Sequence, residues 1–204
     1  MARQARRLVD GGVYRIIACS PPTLALFREP ADYEVYLMML AAAKRQTGLK
    51  LFHYCLLPTE AHLIVELPRT KALARTLHQT HLRFRWHHRK KYQTSGSLWR
   101  DRFQCEPMAP DDILMIGQRV ESLPMRDGLT AHPADYPYSS YTHYAFGRPN
   151  PSLDAHPHYL ALAATAQRRQ ERYCKFSTSE YVTRMQPRLT HMSVGRSPNV
   201  SSPR

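Results

Sequence analysis

The fold of this chain is decided by residues 50–67, which read KLFHYCLLPTEAHLIVEL. Two runs rich in apolar and aromatic side chains, 50–57 and 61–67, are separated only by Pro58-Thr59-Glu60. Runs of this length with so short a link are typical of two antiparallel strands in a hairpin. We therefore expect a β-hairpin in the middle of the folded domain.

The same kind of pattern predicts elements on both sides of the hairpin. β-Branched and apolar runs predict further strands, and apolar positions at helical spacing predict helices. In chain order these are a strand at 12–19, a helix from Pro30 that ends at Gly48, a helix at 70–91, a strand at 98–108 and a helix from Pro110. The first six elements then follow the order β-α-β-β-α-β. That order predicts an α+β, ferredoxin-like fold, an antiparallel four-stranded sheet with both long helices on one face, followed by an extra helix.

The character of the chain changes after Phe146. The segment Gly147-Arg148-Pro149-Asn150-Pro151 has the composition of a linker, residues 159–173 predict a helix, and residues 185–204 have the composition of a disordered tail. We therefore predict a domain at 1–146 and a basic C-terminal extension at 147–204, partly helical and then disordered.

Length and composition exclude several classes of protein. The 204 residues suit one domain with a tail, and no apolar run approaches the roughly 20 residues of a membrane span. No apolar stretch of signal-peptide type follows the basic start, so secretion is not expected. The four cysteines lie far apart in sequence and favour a reducing cytoplasm over a zinc knuckle or a disulfide scaffold.

The net charge points to a nucleic-acid partner. There are 29 Lys and Arg against 16 acids, a formal charge of +13. Ten of those bases lie between Arg69 and Arg102, where Asp101 is the one acid. Helical spacing places several of them in a stripe on the second helix, well suited to DNA phosphates. The predicted DNA-binding residues are Lys71, Arg75, His78, Arg85, Arg89, Lys90, Arg100 and Arg102. Trp86, among these bases, suits base stacking or core packing equally.

Four sequence blocks resemble the REP-associated tyrosine transposases, a family of HUH single-strand transposases. The hairpin YCLLPTEAHLIV (54–65) is similar to the family's YCLMPNHxHLLV. Residues 96–103, GSLWRDRF, are similar to its G-x-L-W-Q-x-R-F block, and PMRDGL (124–129) is similar to NPVRAGL. HPADYPYSSY (132–141) is close to DPxDYPWSSY. The blocks occur in the family's order. The opening Gly12-Val13-Tyr14 also fits the family, and together these segments cover about residues 11–146.

The resemblance implies a ferredoxin-like fold and work in DNA transposition on single-stranded or hairpin repeat DNA. It also implies cleavage by a tyrosine that forms a covalent link to DNA, with a divalent cation, Mg²⁺ or Mn²⁺, that polarises the scissile phosphate. We expect a cytoplasmic location, associated with the bacterial nucleoid, and no membrane partner.

This chain departs from the family at both chemical positions. Glu60 stands where the first metal-binding histidine is expected, and His62 keeps the second, so we expect the two to share a face of the sheet and to hold a cation weakly. Counting back from Pro124 without a gap, Arg119 occupies the tyrosine position. An arginine stays protonated and cannot act as this nucleophile.

Three hypotheses follow. The first is a DNA-binding protein of the transposase type whose tyrosine cleavage chemistry is lost or impaired. The second is an active transposase that uses a non-standard nucleophile with Glu60 and His62 on a metal. The third is an RNA-binding ferredoxin-like module, although the aromatic signature of that class is not evident in the sequence.

Overall fold

The structure, a computed structural model, describes residues 7–178. One antiparallel sheet in the order β2-β3-β1-β4 is its centre. Its strands are β1 (Val13–Cys19), β2 (Lys50–Leu57), β3 (Glu60–Glu66) and β4 (Gln104–Met108). The helices are α1 (Pro30–Thr47), α2 (Thr70–Tyr92), α3 (Ile113–Glu121), α4 (Leu123–Arg126), α5 (Tyr141–Phe146), α6 (Pro157–Ala161) and α7 (Ala166–Thr178). Single 3₁₀ turns lie at Pro110–Asp112 and Pro133–Asp135. The predicted ferredoxin-like α+β fold is confirmed.

One face of the sheet is covered by α1 and α2. The apolar positions of α2, Leu73, Leu77 and Phe84, recur at helical spacing and are buried against Tyr36 of α1 and Ile16 of β1. A stripe of this kind drives a helix onto a sheet because its apolar area leaves water. The opposite, polar side of α2 is thereby turned to solvent.

The other face of the sheet is partly covered by α3 and α4. Val120 and Leu123 pack there with Phe52 and Ile64 in a second apolar cluster. Close approach of α3 requires a glycine at 117, because a Cβ atom there would lie 2.6 Å from ring atoms of His53. This is the face on which Glu60 and His62 lie.

Residues 136–140, within the block that resembles DYPWSSY, cover the outer edge of β2. The N–H of Leu56 donates to the carbonyl of Tyr138 at 2.9 Å, and the N–H of Ser140 donates to the carbonyl of Tyr54 at 3.0 Å. The hydroxyl of Tyr136 donates to the carbonyl of Leu56 at 2.6 Å. An uncovered edge strand would be free to pair with another chain, so this block has a structural role.

Two predicted element boundaries were wrong. The strand expected at 98–108 is formed only by Gln104–Met108, because Trp99 packs against α2 and residues 98–103 form a loop. The helix expected at 159–173 is divided into α6 and α7. At the division the Arg169 guanidinium donates to the carbonyls of Ala163 and Ala164, and the Thr165 hydroxyl accepts from the N–H of Arg168.

The described part of the C-terminal extension packs on the same domain. Tyr173 is fully buried, and Asp154 accepts the N–H of Leu51 at 2.7 Å and pairs with Lys44. The functional division at residue 146 stays a prediction, and the expected disorder at 185–204 lies outside the described residues. None of the helices in the described part of the chain has the length and apolar character that a bilayer span requires.

Candidate nucleic-acid interface

The solvent side of α2 carries the predicted DNA-binding stripe. The structure exposes all eight predicted residues, six on this helix and two in the loop that follows: Lys71, Arg75, His78, Arg85, Arg89, Lys90, Arg100 and Arg102. Among residues 7–178, none of their side chains forms an ion pair with an acid. Cations without an internal partner are available to an external anion.

Lys91, on the same helix, differs from these residues because it forms ion pairs. Its ammonium group pairs with Glu29 and, at 2.8 Å, with Asp32 at the start of α1. The Asp32 carboxylate also accepts the hydroxyl of Tyr92 at 2.7 Å. Lys91 therefore joins the two helices and does not belong to the free stripe.

A groove of about 640 Å³ lies between α2 and the loop 98–103. It brings together four of the predicted residues, Arg75, His78, Arg85 and Arg102. The loop contributes these contacts because it folds back along α2 instead of extending the sheet. The other predicted bases lie outside this lining.

Trp99 forms a wall of this groove and is held in place by α2. Its indole ring stacks on the His81 ring with centroids 3.9 Å apart, and its N–H donates to the His81 carbonyl at 3.4 Å. Burial lowers the pKa of His81 to about 3, so its ring is neutral at physiological pH. Trp86, by contrast, is 61% exposed, so the core-packing alternative for it was wrong.

Glu60 and His62 lie side by side on the sheet face opposite α1 and α2, as expected. Nε2 of His62 and Oε2 of Glu60 are 2.8 Å apart, and the other Glu60 oxygen accepts the Cys19 thiol at 3.6 Å. Burial lowers the pKa of His62, and the hydrogen bond from His62 lowers the pKa of Glu60. A neutral imidazole therefore donates to a carboxylate, which is acceptor-only.

Arginines surround this pair. Arg15 and Arg126 both act to lower the pKa of His62. The backbone N–H of Arg100 donates to the carbonyl of Cys19 at 2.9 Å, which places the predicted DNA-binding loop beside the pair. The Nε of Arg15 and the Nδ1 of His62 are buried and have no hydrogen-bond partner in the described part of the chain.

Comparison with known proteins gives a structural match. A scan against protein-family models finds no match, and a search of the curated proteins finds none. The solved structure of a REP-associated tyrosine transposase bound to a REP hairpin superposes with a TM-score of 0.57 and 16% identity, covering 76% of this chain and 92% of that one. This chain has the fold of a REP-associated tyrosine transposase. The structure of a putative transposase from Deinococcus radiodurans R1 is similar at a TM-score of 0.40 and 17% identity, covering 59% of this chain and 97% of that one.

The residues around Glu60 and His62 do not fit the divalent metal ion that is expected for a REP-associated tyrosine transposase. Within residues 7–178, no group of three or more His, Cys, Asp and Glu side chains is placed to hold a metal ion. Glu60 and His62 are hydrogen-bonded to each other. The Cys19 thiol stays protonated because burial and the Glu60 charge raise its pKa to about 11. Positive charge on Arg15 and Arg126 opposes a further cation at this place.

We expect weak Mn²⁺ binding by the protein and tighter binding after Glu60→His. The substitution removes the carboxylate that occupies His62 and supplies a second imidazole, and a gain of ~1.4 kcal/mol would strengthen binding about tenfold. Isothermal titration calorimetry at pH 7.5 measures both proteins. Tight, saturable binding by the unmodified protein that His62→Ala abolishes would contradict this expectation.

Arg119, the residue that the sequence comparison predicts at the family's tyrosine position, lies on α3. It is near the end of that helix, and its Nη2 is buried without a partner among the described residues. No hydrogen bond or ion pair within residues 7–178 joins it to Glu60 or His62. Three tyrosines on either side of Arg119 in sequence make contacts within the fold: Tyr92 donates to Asp32, Tyr136 donates to the carbonyl of Leu56, and the ring of Tyr138 stacks on that of Tyr33 at 3.6 Å.

Sequence reasoning missed several residues of this interface. Arg15 and Cys19 are four residues apart on β1, and this even spacing predicts that their side chains lie on the same face of the sheet. Their register against β3, with Cys19 opposite Glu60, carried no sequence signal. Arg126 lies inside a block used for the resemblance, yet its proximity to His62 depends on how α4 packs. The Trp99–His81 stack likewise depends on the loop 98–103.

Proposed function

We propose that this protein binds hairpin or single-stranded repeat DNA and has lost, or largely lost, the tyrosine cleavage chemistry of its fold. One observation carries the proposal: on a transposase fold, eight exposed basic side chains follow α2 and its adjoining loop, and none of them forms an ion pair within residues 7–178. Such a row attracts phosphates regardless of base sequence. A DNA partner of this kind fits the cytoplasm and the nucleoid of a bacterium.

The solved REP-associated tyrosine transposase supports the choice of a DNA hairpin as the partner of this protein. Its structure contains a REP hairpin, and the sequence blocks of this chain resemble the same family. The division predicted from sequence gives 1–146 as the DNA-binding domain and 147–204 as a basic extension. A folded single strand is therefore the substrate class on which we test the protein.

Loss of cleavage follows from three features taken together. Arg119 stands at the tyrosine position. Glu60 and His62, at the metal position, are hydrogen-bonded to each other. Tyr92, Tyr136 and Tyr138 make contacts within the fold. Burial also raises the pKa of Tyr136, which makes its oxyanion harder to form. Among residues 7–178, these contacts support a protein without the family's phosphate activator and tyrosine nucleophile.

We expect no covalent protein–DNA adduct when the protein meets a labelled hairpin in the presence of Mn²⁺. The physical reason is that a phosphotyrosine link requires a tyrosine oxygen in line with the phosphate. Denaturing gel electrophoresis of the labelled DNA measures the adduct, with a catalytically active transposase of this fold as positive control. An adduct from this protein would establish the active-transposase hypothesis, and peptide mapping would identify the nucleophile.

The same hairpin in RNA form tests the third hypothesis. RNA-binding ferredoxin-like modules stack bases on the open face of the sheet. Here that face is partly covered by α3 and α4, with Phe52, Ile64 and Val120 buried in the contact. We therefore propose DNA, and preferential binding of the RNA hairpin in a direct competition would overturn that choice.

A further inference from the structure

We propose that the buried side chain of His156 is a proton-sensitive latch, which holds α6 and α7 on the domain while it is neutral and releases them when it is protonated. His156 lies just before α6 and is 1% exposed. Its ring packs edge-on against Phe52 of β2, with centroids 4.7 Å apart. The latch does not involve the DNA partner, so this inference goes beyond the proposed function.

A hydrogen bond at the start of α6 requires the neutral form of His156. Its Nδ1 accepts the backbone N–H of Tyr159 at 3.1 Å and so caps the helix. A neutral imidazole that accepts at one nitrogen carries its hydrogen on the other, so Nε2 of His156 is a donor. Protonation adds a hydrogen to Nδ1 and turns two N–H groups toward each other. The charged ring therefore loses the cap.

A second buried histidine, His53 of β2, lies beside His156. The two ring centroids are 5.8 Å apart, and both Nε2 atoms are buried without a hydrogen-bond partner among residues 7–178. Nδ1 of His53 donates to the Glu121 carboxylate at 2.9 Å, which leaves Nε2 of a neutral His53 ring as an acceptor. The neutral pair thus offers one donor and one acceptor, whereas a proton on His156 brings a buried charge with no acid beside it.

The surroundings of His156 oppose its protonation. Burial, followed by the neighbours His53 and His158, lowers the pKa of His156 to about 3. No acid within residues 7–178 forms an ion pair with His156. Asp154 pairs with Lys44, and Asp111 lies 3.9 Å from His158. The other titratable groups on the elements packed around this place are His53, Glu121, Tyr144, Tyr159 and Tyr173.

Contacts between α6 and α7 make them one unit. Tyr159 of α6 and Tyr173 of α7 have ring centroids 5.8 Å apart, and the Arg172 guanidinium of α7 donates to the carbonyl of Leu162 at the end of α6. The hydroxyl of Tyr173 in turn donates to Glu121 of α3 at 2.7 Å. Release of the two helices therefore uncovers α3, the helix on which Arg119 lies.

The experiment is amide hydrogen exchange of the full chain at pH 7 and pH 5, read by mass spectrometry on peptides from α6 and α7. A group whose pKa is lower in the docked state loses its stabilising effect as the pH falls below its ordinary pKa, 6.5 for histidine. A pKa of about 3 when docked makes opening about 25-fold more favourable at pH 5 than at pH 7. We expect protection factors in these peptides, corrected for intrinsic exchange rates, to fall by that factor, while peptides of β1 and β3 keep theirs.

Two substitutions locate the effect. His156→Asn keeps a side chain that caps helices well but does not titrate, so α6 and α7 should stay docked. In this variant the change between pH 7 and pH 5 should shrink to less than about threefold. His158→Asn is the matched control, because it removes a histidine two residues away whose side chain is 37% exposed. The control should keep nearly the whole change.

The latch can be overturned without any variant. Unchanged protection of α6 and α7 between pH 7 and pH 5 in the unmodified protein contradicts it, and so does the full change in His156→Asn. Nitrogen-15 NMR of the histidine rings is a second measurement: at pH 6 His156 should be neutral with its hydrogen on Nε2, and a charged ring would disprove the latch. These measurements contain no DNA, so a failed latch leaves hairpin binding untouched.

Discussion

Reversing the charge of Arg75 and Arg85 together is expected to weaken binding of hairpin DNA by about 50-fold or more at ~100 mM salt. Each neutralised phosphate contributes a slope of about −0.9 to the dependence of log K on log salt, so two lost contacts remove nearly two decades at that concentration. The slope itself should become shallower by about two. Fluorescence anisotropy at several salt concentrations measures both quantities.

The matched control for that experiment is the double substitution Arg45→Glu with Arg148→Glu. These two exposed arginines lie outside α2, and the change in net charge is the same. An equal loss of affinity in both double variants would mean that overall charge, and not the α2 stripe, binds the DNA. The loss should also be similar for unrelated hairpin sequences, because phosphate contacts carry no sequence information. A changed sequence preference would show instead that Arg75 and Arg85 contact bases.

Replacing Glu121 by Ala is expected to lower the free energy of unfolding by about 3–5 kcal/mol, because it removes the acceptor of several buried hydrogen bonds and each buried group left unpaired costs about 1–3 kcal/mol. The Glu121 carboxylate is fully buried and lies 2.9 Å from Nδ1 of His53. It also accepts the hydroxyl of Tyr173 at 2.7 Å and that of Ser140. Its loss leaves three buried polar groups without this acceptor and weakens the attachment of α7.

Urea denaturation at pH 7 measures that loss, and Glu34→Ala is the control. Glu34 is an exposed acid on α1, so its replacement should change the free energy of unfolding by less than about 0.5 kcal/mol. Glu121→Gln should fall between the two, because the amide keeps the shape of the side chain but accepts fewer hydrogen bonds. A cost below about 1 kcal/mol for Glu121→Ala would contradict the structural role of the network.

The sequence by itself determined the order of the strands and helices and the residues that stand at the two positions where the family's chemistry is expected. The two apolar runs of the hairpin, the apolar spacing of Leu73, Leu77 and Phe84, and the turn at Pro58-Thr59-Glu60 are local signals, and local signals specify secondary structure. The exposed stripe on α2 follows from the same periodicity. The identities of Glu60 and Arg119 are likewise facts of the sequence.

Only the tertiary structure decided what these residues contact. Glu121 and Tyr173 are 52 residues apart, Cys19 and Glu60 are 41 apart, and neither contact has a local sequence signal. Residues 98–103 have the composition of a strand, yet they form a loop in which Trp99 stacks on His81. The groove lies between this loop and α2. Strand register and helix packing bring such distant side chains together, since the free energy of a buried contact depends on neighbours that no short window of sequence contains.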